Sequence, residues 1–151
     1  MTMTRALAQT LAMIAEAASG ATGDWWIIGS AAVVLHGRRV AHVNDVDLMM
    51  SAHDAEQFLN RVGGHARAAD AHKKFRSLVF GVWTEPPVPV EIFGGFSLAG
   101  PSGWREVSMA SRESVDVGGH RLFVPSVEEL ARLLRAFGRP KDLERARILQ
   151  G

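Results

Sequence analysis

Two aspartates, Asp45 and Asp47, are separated by one residue in the stretch Asp45-Val46-Asp47-Leu48. Alternate side chains of a β-strand point to the same face of a sheet, so this spacing places both carboxylates on one face. Two carboxylates held side by side repel each other and lose hydration, and an apolar sheet tolerates them when a cation or a hydrogen-bond donor lies between them. The pair therefore predicts a cation-binding site.

A third acid, Glu91, lies within the apolar segment Val90-Glu91-Ile92-Phe93. An acid in the middle of such a strand is costly to bury without a partner. If this strand lies beside the strand that carries Asp45 and Asp47, three carboxylates converge. Oxygen ligands of this kind hold hard divalent cations such as Mg²⁺ or Mn²⁺, and substrate phosphates complete the metal's ligand shell.

Gly29 and Ser30 connect a predicted apolar strand to a short helix. Small residues at that turn let another group approach the backbone closely, and a helix N-terminus presents free N–H groups to phosphate. Together with the carboxylates, this turn predicts metal-dependent phosphoryl or nucleotidyl transfer, in which the third acid orients the acceptor hydroxyl or takes its proton. The same ligands can activate water, so a metal-dependent phosphohydrolase is a weaker alternative.

The elements that must position these residues are predicted from periodicity, caps and turns. We expect an amphipathic helix over 4–18, a core over 25–124 and C-terminal helices over 126–150. Ser126 and Glu129 have the spacing of a capping box at the start of those last helices. Residues 96–113 are predicted as mostly loop. The expected strands of the core are 25–28, 45–50, 75–83, 88–93 and a hairpin of 115–117 with 121–124, and its expected helices are 31–36 and 52–62.

The composition is that of an ordinary globular domain. The 151 residues are 47% hydrophobic and 22% charged, which predicts a single α+β domain with a small mixed sheet flanked by helices. The formal charge of +1 gives no broad field towards nucleic acid or membrane, and no segment is long enough to span a bilayer. There is no cysteine, which excludes thiolate metal sites and suits a reducing cytoplasm.

The order of these motifs resembles the nucleotidyltransferase fold. Gly29-Ser30 is followed at short helical spacing by Asp45-Val46-Asp47, and later by an acid in Val-Glu-Ile-Phe. The tail is similar to the small prokaryotic branch of antitoxin-like and abortive-infection-related (AbiEii-like) nucleotidyltransferases, whose members often have P-S-x-E-x-L and then G-R-x-K-D. The matching segments here are Val124-Pro125-Ser126-Val127-Glu128-Glu129-Leu130 and Gly138-Arg139-Pro140-Lys141-Asp142-Leu143, and the resemblance covers about residues 25–149.

This resemblance implies transfer of a nucleoside monophosphate from a nucleoside triphosphate to a hydroxyl on RNA, protein or a small molecule. Gly29 and Ser30 would contact the triphosphate, Asp45 and Asp47 would bind Mg²⁺ or Mn²⁺, and Glu91 would be the third acid and complete the metal site.

The resemblance also places Lys141 and Asp142 near the nucleotide or the acceptor, although such a pair is by itself more typical of a helix start. A basic cluster before the third predicted strand is usually a solvated face, but it is also a candidate for contact with triphosphate or an acidic acceptor. The members of that cluster are Arg67, Lys73, Lys74 and Arg76.

Four positions depart from the pattern of that branch. The branch usually has an arginine and a threonine four and two residues before the first aspartate, a lysine on the penultimate helix, and an acid three residues after the Lys-Asp aspartate. The residues here are Ala41, Val43, Arg135 and Arg145, with Arg38 or Arg39 as candidate replacements for the missing arginine. The departures favour an alternative function, a non-catalytic module of the same fold that acts through a protein partner in the manner of a toxin–antitoxin pair.

Overall fold

The computed structural model of the chain describes residues 3–66 and 74–151. Its helices are α1 (Arg5–Ala18), α2 (Gly29–Leu35), α3 (Ala52–Val62), α4 (Val127–Phe137) and α5 (Pro140–Gln150). Its strands are β1 (Trp26–Ile28), β2 (Val46–Met50), β3 (His65–Ala66), β4 (Phe75–Arg76), β5 (Val79–Trp83), β6 (Val90–Gly94), β7 (Ser97–Gly100), β8 (Gly103–Glu106), β9 (Glu113–Val117) and β10 (His120–Val124).

The central feature of the described chain is a five-stranded mixed sheet with the order β1-β2-β6-β5-β3. β2 and β6 are parallel, and the other neighbouring strands are antiparallel. Their register places Asp47 directly opposite Glu91, and Ile28 of β1 opposite Asp47 on the other side. Because directly opposed residues in neighbouring strands lie on the same face, the two acids share one face of the sheet.

The opposite face of the sheet forms the hydrophobic core. Val46 and Leu48 of β2 and Ile92 of β6 are fully buried there. α3 packs against β5 and β6, where the Phe58 ring meets the Trp83 ring edge to face with centroids 5.6 Å apart. This alternation of an apolar face with a face that carries acids confirms the predicted α+β architecture, a mixed sheet flanked by helices.

α4 and α5 pack against each other, and α5 also contacts α2. The buried face of α4 includes Leu130 and Leu134, and Leu149 is buried on α5. Since α2 follows β1 directly, this packing holds α5 near the same end of the sheet as the acids. Within the described chain, no helix is both long and apolar enough to cross a bilayer.

Two predictions for the middle of the chain are wrong. Residues 96–113 contain the hairpin β7–β8, which pairs with β4 to form a separate three-stranded sheet. β8 is exposed along its whole length, because neither of its faces packs on the core. Its sequence therefore lacks the alternation of apolar and polar residues that predicts a strand. The strand predicted over 75–83 is divided between two sheets, with the exposed Leu78 at the break.

The predicted capping box of α4 is half present. The Ser126 hydroxyl accepts from the Glu129 amide at 3.2 Å, but the Glu129 carboxylate does not reach back to Ser126. It accepts instead from the amides of Ala110 and Ser111 at 2.7 and 2.8 Å and from the Ser111 hydroxyl. Burial alone raises the pKa of Glu129, but these hydrogen bonds hold the pKa below its ordinary value. Glu129 therefore fixes the loop before β9 onto α4.

Asp54 joins the loop after α1 to the start of α3. Its side chain is 1% exposed and accepts from the amide and hydroxyl of Thr22 at 3.0 and 2.9 Å and from the amide of Gly23 at 2.9 Å. Burial alone raises the pKa of Asp54, but hydrogen bonds from Thr22, Gly23 and Ser51 lower the pKa below its ordinary value. The ionised form is therefore the one that stabilises this junction.

We predict that Asp54→Asn lowers the free energy of unfolding by about 2 kcal/mol at pH 7, because an amide cannot accept all three hydrogen bonds. A carboxylate with a lowered folded pKa stabilises fully above its unfolded pKa of about 3.9, and that contribution is lost as pH falls through the folded pKa. The difference from the parent protein in urea unfolding should stay constant above about pH 5 and shrink below about pH 4.

The exposed Glu56 on the same helix provides a control, and Glu56→Gln should leave the unfolding free energy within about 0.5 kcal/mol at every pH. A deficit in Asp54→Asn that stayed the same below pH 4 would contradict the proposed role of the ionised carboxylate.

Candidate active site

The three predicted acids line one cavity of about 420 Å³. Asp47 lies in β2 and Glu91 in β6, whereas Asp45 precedes β2, which begins at Val46 rather than at the predicted position 45. The juxtaposition follows from the parallel register of β2 and β6. The structure thus brings the three carboxylates to one place, and their role as metal ligands stays a prediction.

The ionised form of Asp47 is electrostatically unfavourable in this site. Burial, and then the charges of Asp45 and Glu91, raise its pKa well above the ordinary value, while Arg145 and Arg139 oppose that rise. A carboxylate whose ionised form is disfavoured in this way is stabilised by any additional cation. The local excess of negative charge therefore fits a cation-binding role.

The donor set fits a hard divalent cation that needs substrate to complete its ligand shell. Within residues 3–66 and 74–151, no three His, Cys, Asp or Glu side chains are placed closely enough to form a preformed metal site. Mg²⁺ commonly uses one or two carboxylates and takes its remaining ligands from phosphates and water. Asp45 and Asp47 meet that smaller requirement.

Gly29 lies against the carboxylate of Asp47. A Cβ atom at Gly29 would be 2.6 Å from the Asp47 Oδ2 atom, and its φ of +69° is one that residues with side chains rarely adopt. Gly29 and Ser30 are buried and do not form part of the cavity wall, so any contact with phosphate would involve the backbone at the start of α2. The absence of a side chain at Gly29 therefore lets this turn pack directly against the Asp47 carboxylate.

Four cationic side chains line the same cavity, and the sequence predicted only Arg76 and Lys141 as candidates for contact with nucleotide or acceptor. The four are Arg76, Arg139, Lys141 and Arg145. Of the basic cluster noted in the sequence, Arg67 and Lys73 lie outside the described residues. Lys74 lies beside Gly138, where a Cβ atom would be 3.2 Å from the lysine Nζ atom.

Asp142 holds two of these cations rather than facing the cavity. It is 1% exposed, and its carboxylate contacts the Arg139 side chain at 2.6 and 3.1 Å and the Arg145 Nη1 atom at 4.0 Å. Arg139 and Arg145 flank Asp142 at three residues on either side, so both lie one helical turn from it. The symmetric spacing of the two arginines around Asp142 is a sequence signal that predicts both ion pairs.

The departures noted in the sequence take on a structural meaning here. Arg145, at the position where the AbiEii-like branch carries an acid, is one of the cavity's cations. Arg38 and Arg39 line a different cavity, and the Arg38 side chain donates to the Leu149 carbonyl at 3.2 Å. Neither replaces the missing arginine near Asp45. Arg135 is exposed and donates to Gln150.

Solved structures with the same fold include three nucleotidyltransferase-type proteins. No family model and no curated protein matches this sequence. A Thermotoga maritima protein named as a candidate nucleotidyltransferase superposes with a TM-score of 0.74 at 22% identity, over 89% of this chain and 86% of that one.

Two further matches are more distant. ANT(2'')-Ia in complex with adenylyl-2''-tobramycin has a TM-score of 0.57 at 15% identity, over 90% of this chain and 83% of that one. The lincosamide antibiotic adenylyltransferase LnuA, bound to lincomycin, has a TM-score of 0.54 at 16% identity, over 85% and 86% of the two chains. At these identities the likeness shows the fold alone, and this chain has the nucleotidyltransferase fold.

We predict that Gly29→Ala disturbs Asp47, whereas Gly37→Ala does not. Both glycines have positive φ, +69° and +81°, so both alanines cost about 1–2 kcal/mol in backbone strain. A Cβ atom at Gly37 meets nothing within 4 Å, and only the one at Gly29 collides with an acid. Urea unfolding should show a larger loss for Gly29→Ala, and equal losses would show that the contact with Asp47 is unimportant.

We predict that Asp142→Asn lowers the free energy of unfolding by about 2–3 kcal/mol, because the buried side chain loses the charge that pairs with Arg139 and Arg145. It should also weaken binding of inorganic pyrophosphate, since Arg145 loses the carboxylate that orients it. Calorimetric titration and urea unfolding measure the two effects.

The control for this change is Asp116→Asn. That aspartate pairs with Arg121 at 3.9 Å on an open surface, and its loss should cost less than about 1 kcal/mol. Unchanged pyrophosphate affinity in Asp142→Asn would show that the arginines do not depend on Asp142 for their positions.

Proposed function

We propose that this chain is a metal-dependent nucleotidyltransferase that moves a nucleoside monophosphate from a nucleoside triphosphate to a hydroxyl acceptor. The observation that carries the proposal is the register of Asp47 opposite Glu91, with Asp45 in the same cavity, on a nucleotidyltransferase fold. We also propose that the chain belongs to the AbiEii-like branch, supported by the tail motif whose Arg139 and Lys141 line the cavity. A cytoplasmic location stays part of the proposal.

Asp45 and Asp47 would hold Mg²⁺ or Mn²⁺, which when bound neutralises phosphate charge and aligns the triphosphate. The cationic side chains of the cavity would also stabilise negative charge. Lys141 and Arg145 line the cavity, and fixed cations close to the leaving pyrophosphate would stabilise the transition state without reorganising.

Glu91 is the proposed proton acceptor. In the reaction the acceptor oxygen bonds to the α-phosphorus, the bond from that phosphorus to pyrophosphate breaks, and the hydroxyl proton passes to the Glu91 carboxylate. Its half-buried position beside Asp47 keeps it in the cavity and close to the reacting centre.

We predict that Asp47→Asn abolishes function while stabilising the fold. Removing one carboxylate should weaken Mg²⁺-dependent binding of nucleoside triphosphate by at least about tenfold. Because the ionised Asp47 is disfavoured in the folded state, the neutral amide should unfold at higher urea concentration than the parent protein at pH 7. This combination separates a lost function from a lost fold.

Titration of ATP, GTP, CTP and UTP with Mg²⁺, followed by incubation with α-labelled triphosphate, measures the proposal directly, with Asp116→Asn as the control. Transfer of label to an acceptor supports it. Release of labelled monophosphate without transfer indicates the hydrolytic alternative, and the absence of any binding overturns the enzymatic proposal.

One observation favours a second candidate, a non-catalytic binding module that acts through a protein partner such as a toxin. Arg145 already offsets part of the unfavourable charge at Asp47, as a bound cation would. A chain of this kind would purify in complex with its partner and turn over no nucleotide. In that case the Arg145→Glu variant, which restores an acid at this position, should still purify with its partner and still bind no nucleotide.

A further inference from the structure

One third of the residues that line the cavity are phenylalanines. Phe93 follows Glu91 by two residues on the same face of β6, and it is opposed in register by Phe80 of β5, with ring centroids 5.2 Å apart. Two residues along a strand span about 7 Å, so the aromatic part begins about that far from the acids. The complete wall consists of Phe75, Phe80, Phe93, Phe96 and Phe137.

The rings of this aromatic wall are continuous with one another. Phe96 contacts Phe93, Phe75 and Phe137 with centroid separations of 5.5, 6.2 and 5.9 Å. Phe96 and Phe137 are buried, whereas Phe75, Phe80 and Phe93 are only half-buried. Half-exposed rings that line a cavity beside polar groups are typical of a binding site for an apolar ligand.

The position of the wall relative to the acids indicates which ligand it meets. In the order β1-β2-β6-β5, the Gly29-Ser30 turn follows β1, the acids lie on β2 and β6, and the aromatic pair lies on β6 and β5. In an in-line displacement, the attacking and leaving oxygens lie on opposite sides of the phosphorus. A triphosphate at the Gly29 side therefore leaves the aromatic side to the incoming hydroxyl, next to Glu91.

The charge of the cavity limits the acceptor further. Four cations and three carboxylates line the described part of the cavity, and the buried Asp142 pairs with two of those cations, Arg139 and Arg145. The Arg139 guanidinium lies over the rings of Phe75 and Phe137 at 5.2 and 5.8 Å, at the border of the aromatic wall. An acceptor without a planar ring, such as tobramycin, has no surface that stacks on phenylalanine. A neutral or anionic ring would stack on phenylalanine and meet a guanidinium favourably.

We propose that the acceptor is a hydroxyl compound with a planar, apolar ring system that is neutral or anionic, and that the aromatic wall is its subsite. This inference rests on the nucleotidyl transfer proposed above. The acceptor hydroxyl attacks the α-phosphorus of the triphosphate, the bond from that phosphorus to pyrophosphate breaks, and the proton passes to Glu91.

The test uses the full chain with Mg²⁺, α-labelled triphosphate and four acceptors. These are 2-naphthol, an anionic hydroxynaphthoate, the saturated analogue decahydro-2-naphthol and tobramycin. We expect label on both naphthalene compounds, a KM about three- to tenfold higher for the saturated analogue, and no transfer to tobramycin. Preferred transfer to tobramycin, or equal KM values for planar and saturated acceptors, overturns the proposal.

Two variants locate the subsite. Phe80→Leu and Phe93→Leu should each raise the KM for 2-naphthol about three- to tenfold and leave the affinity for triphosphate unchanged. Phe123→Leu is the matched control, because Phe123 packs against Trp25 outside the cavity. If the two cavity variants instead weaken triphosphate binding, the wall holds the nucleobase and the acceptor assignment is wrong.

Direct titration separates this inference from the function on which it rests. Absence of triphosphate binding overturns nucleotidyl transfer and with it the role of the wall as an acceptor subsite. Calorimetric titration of 2-naphthol into the same protein then tests the wall alone. Binding that Phe93→Leu weakens supports an aromatic-ligand site, and absent or unaffected binding overturns it.

Discussion

The unfavourable burial of Asp47 beside Glu91 is the constraint around which the rest of the cavity is arranged. The parallel register of β2 and β6 fixes both acids on one face, and Asp45 adds a third charge. The apolar residues on the opposite face hold that register, since a shift of β2 by one residue against β6 would turn Asp47 into the core. The hydrophobic core therefore maintains an electrostatically unfavourable arrangement that a bound cation relieves.

The positive charges that oppose these acids are held in place by Asp142. Asp142 is buried at the start of α5 and orients Arg139 and Arg145, which lie on either side of it along the helix. Both arginines reduce the pKa rise at Asp47. The acids thus lie on the sheet, whereas Arg139, Lys141 and Arg145 belong to α5 and its N-cap, and α2 contacts both β2 and α5.

The sequence predicted the helices and the hairpin of β9 and β10, because caps, glycine turns and strand alternation are local signals. The meeting of Glu91 with Asp45 and Asp47 was predicted only on the condition that their strands are neighbours, and it was implied by the resemblance to the nucleotidyltransferase fold, because the pairing of β2 with β6 is not a local signal. The sequence did not predict the β7–β8 hairpin, since the exposed strand around Trp104 has no apolar alternation. The partners of Glu129 were also missed. They depend on a loop that approaches from elsewhere in the fold, and no spacing along the chain specifies that contact.

The location of α5 at the end of the chain has a consequence for how the molecule reaches its native state. Pairing of β2 with β6 requires the long crossover through α3, and such distant contacts form slowly. The acids can come together once β6 is in place, but Arg139, Lys141 and Arg145 join them only when α5 docks. Until that docking, the clustered carboxylates lack these three cations, so α5 completes the electrostatic balance of the cavity.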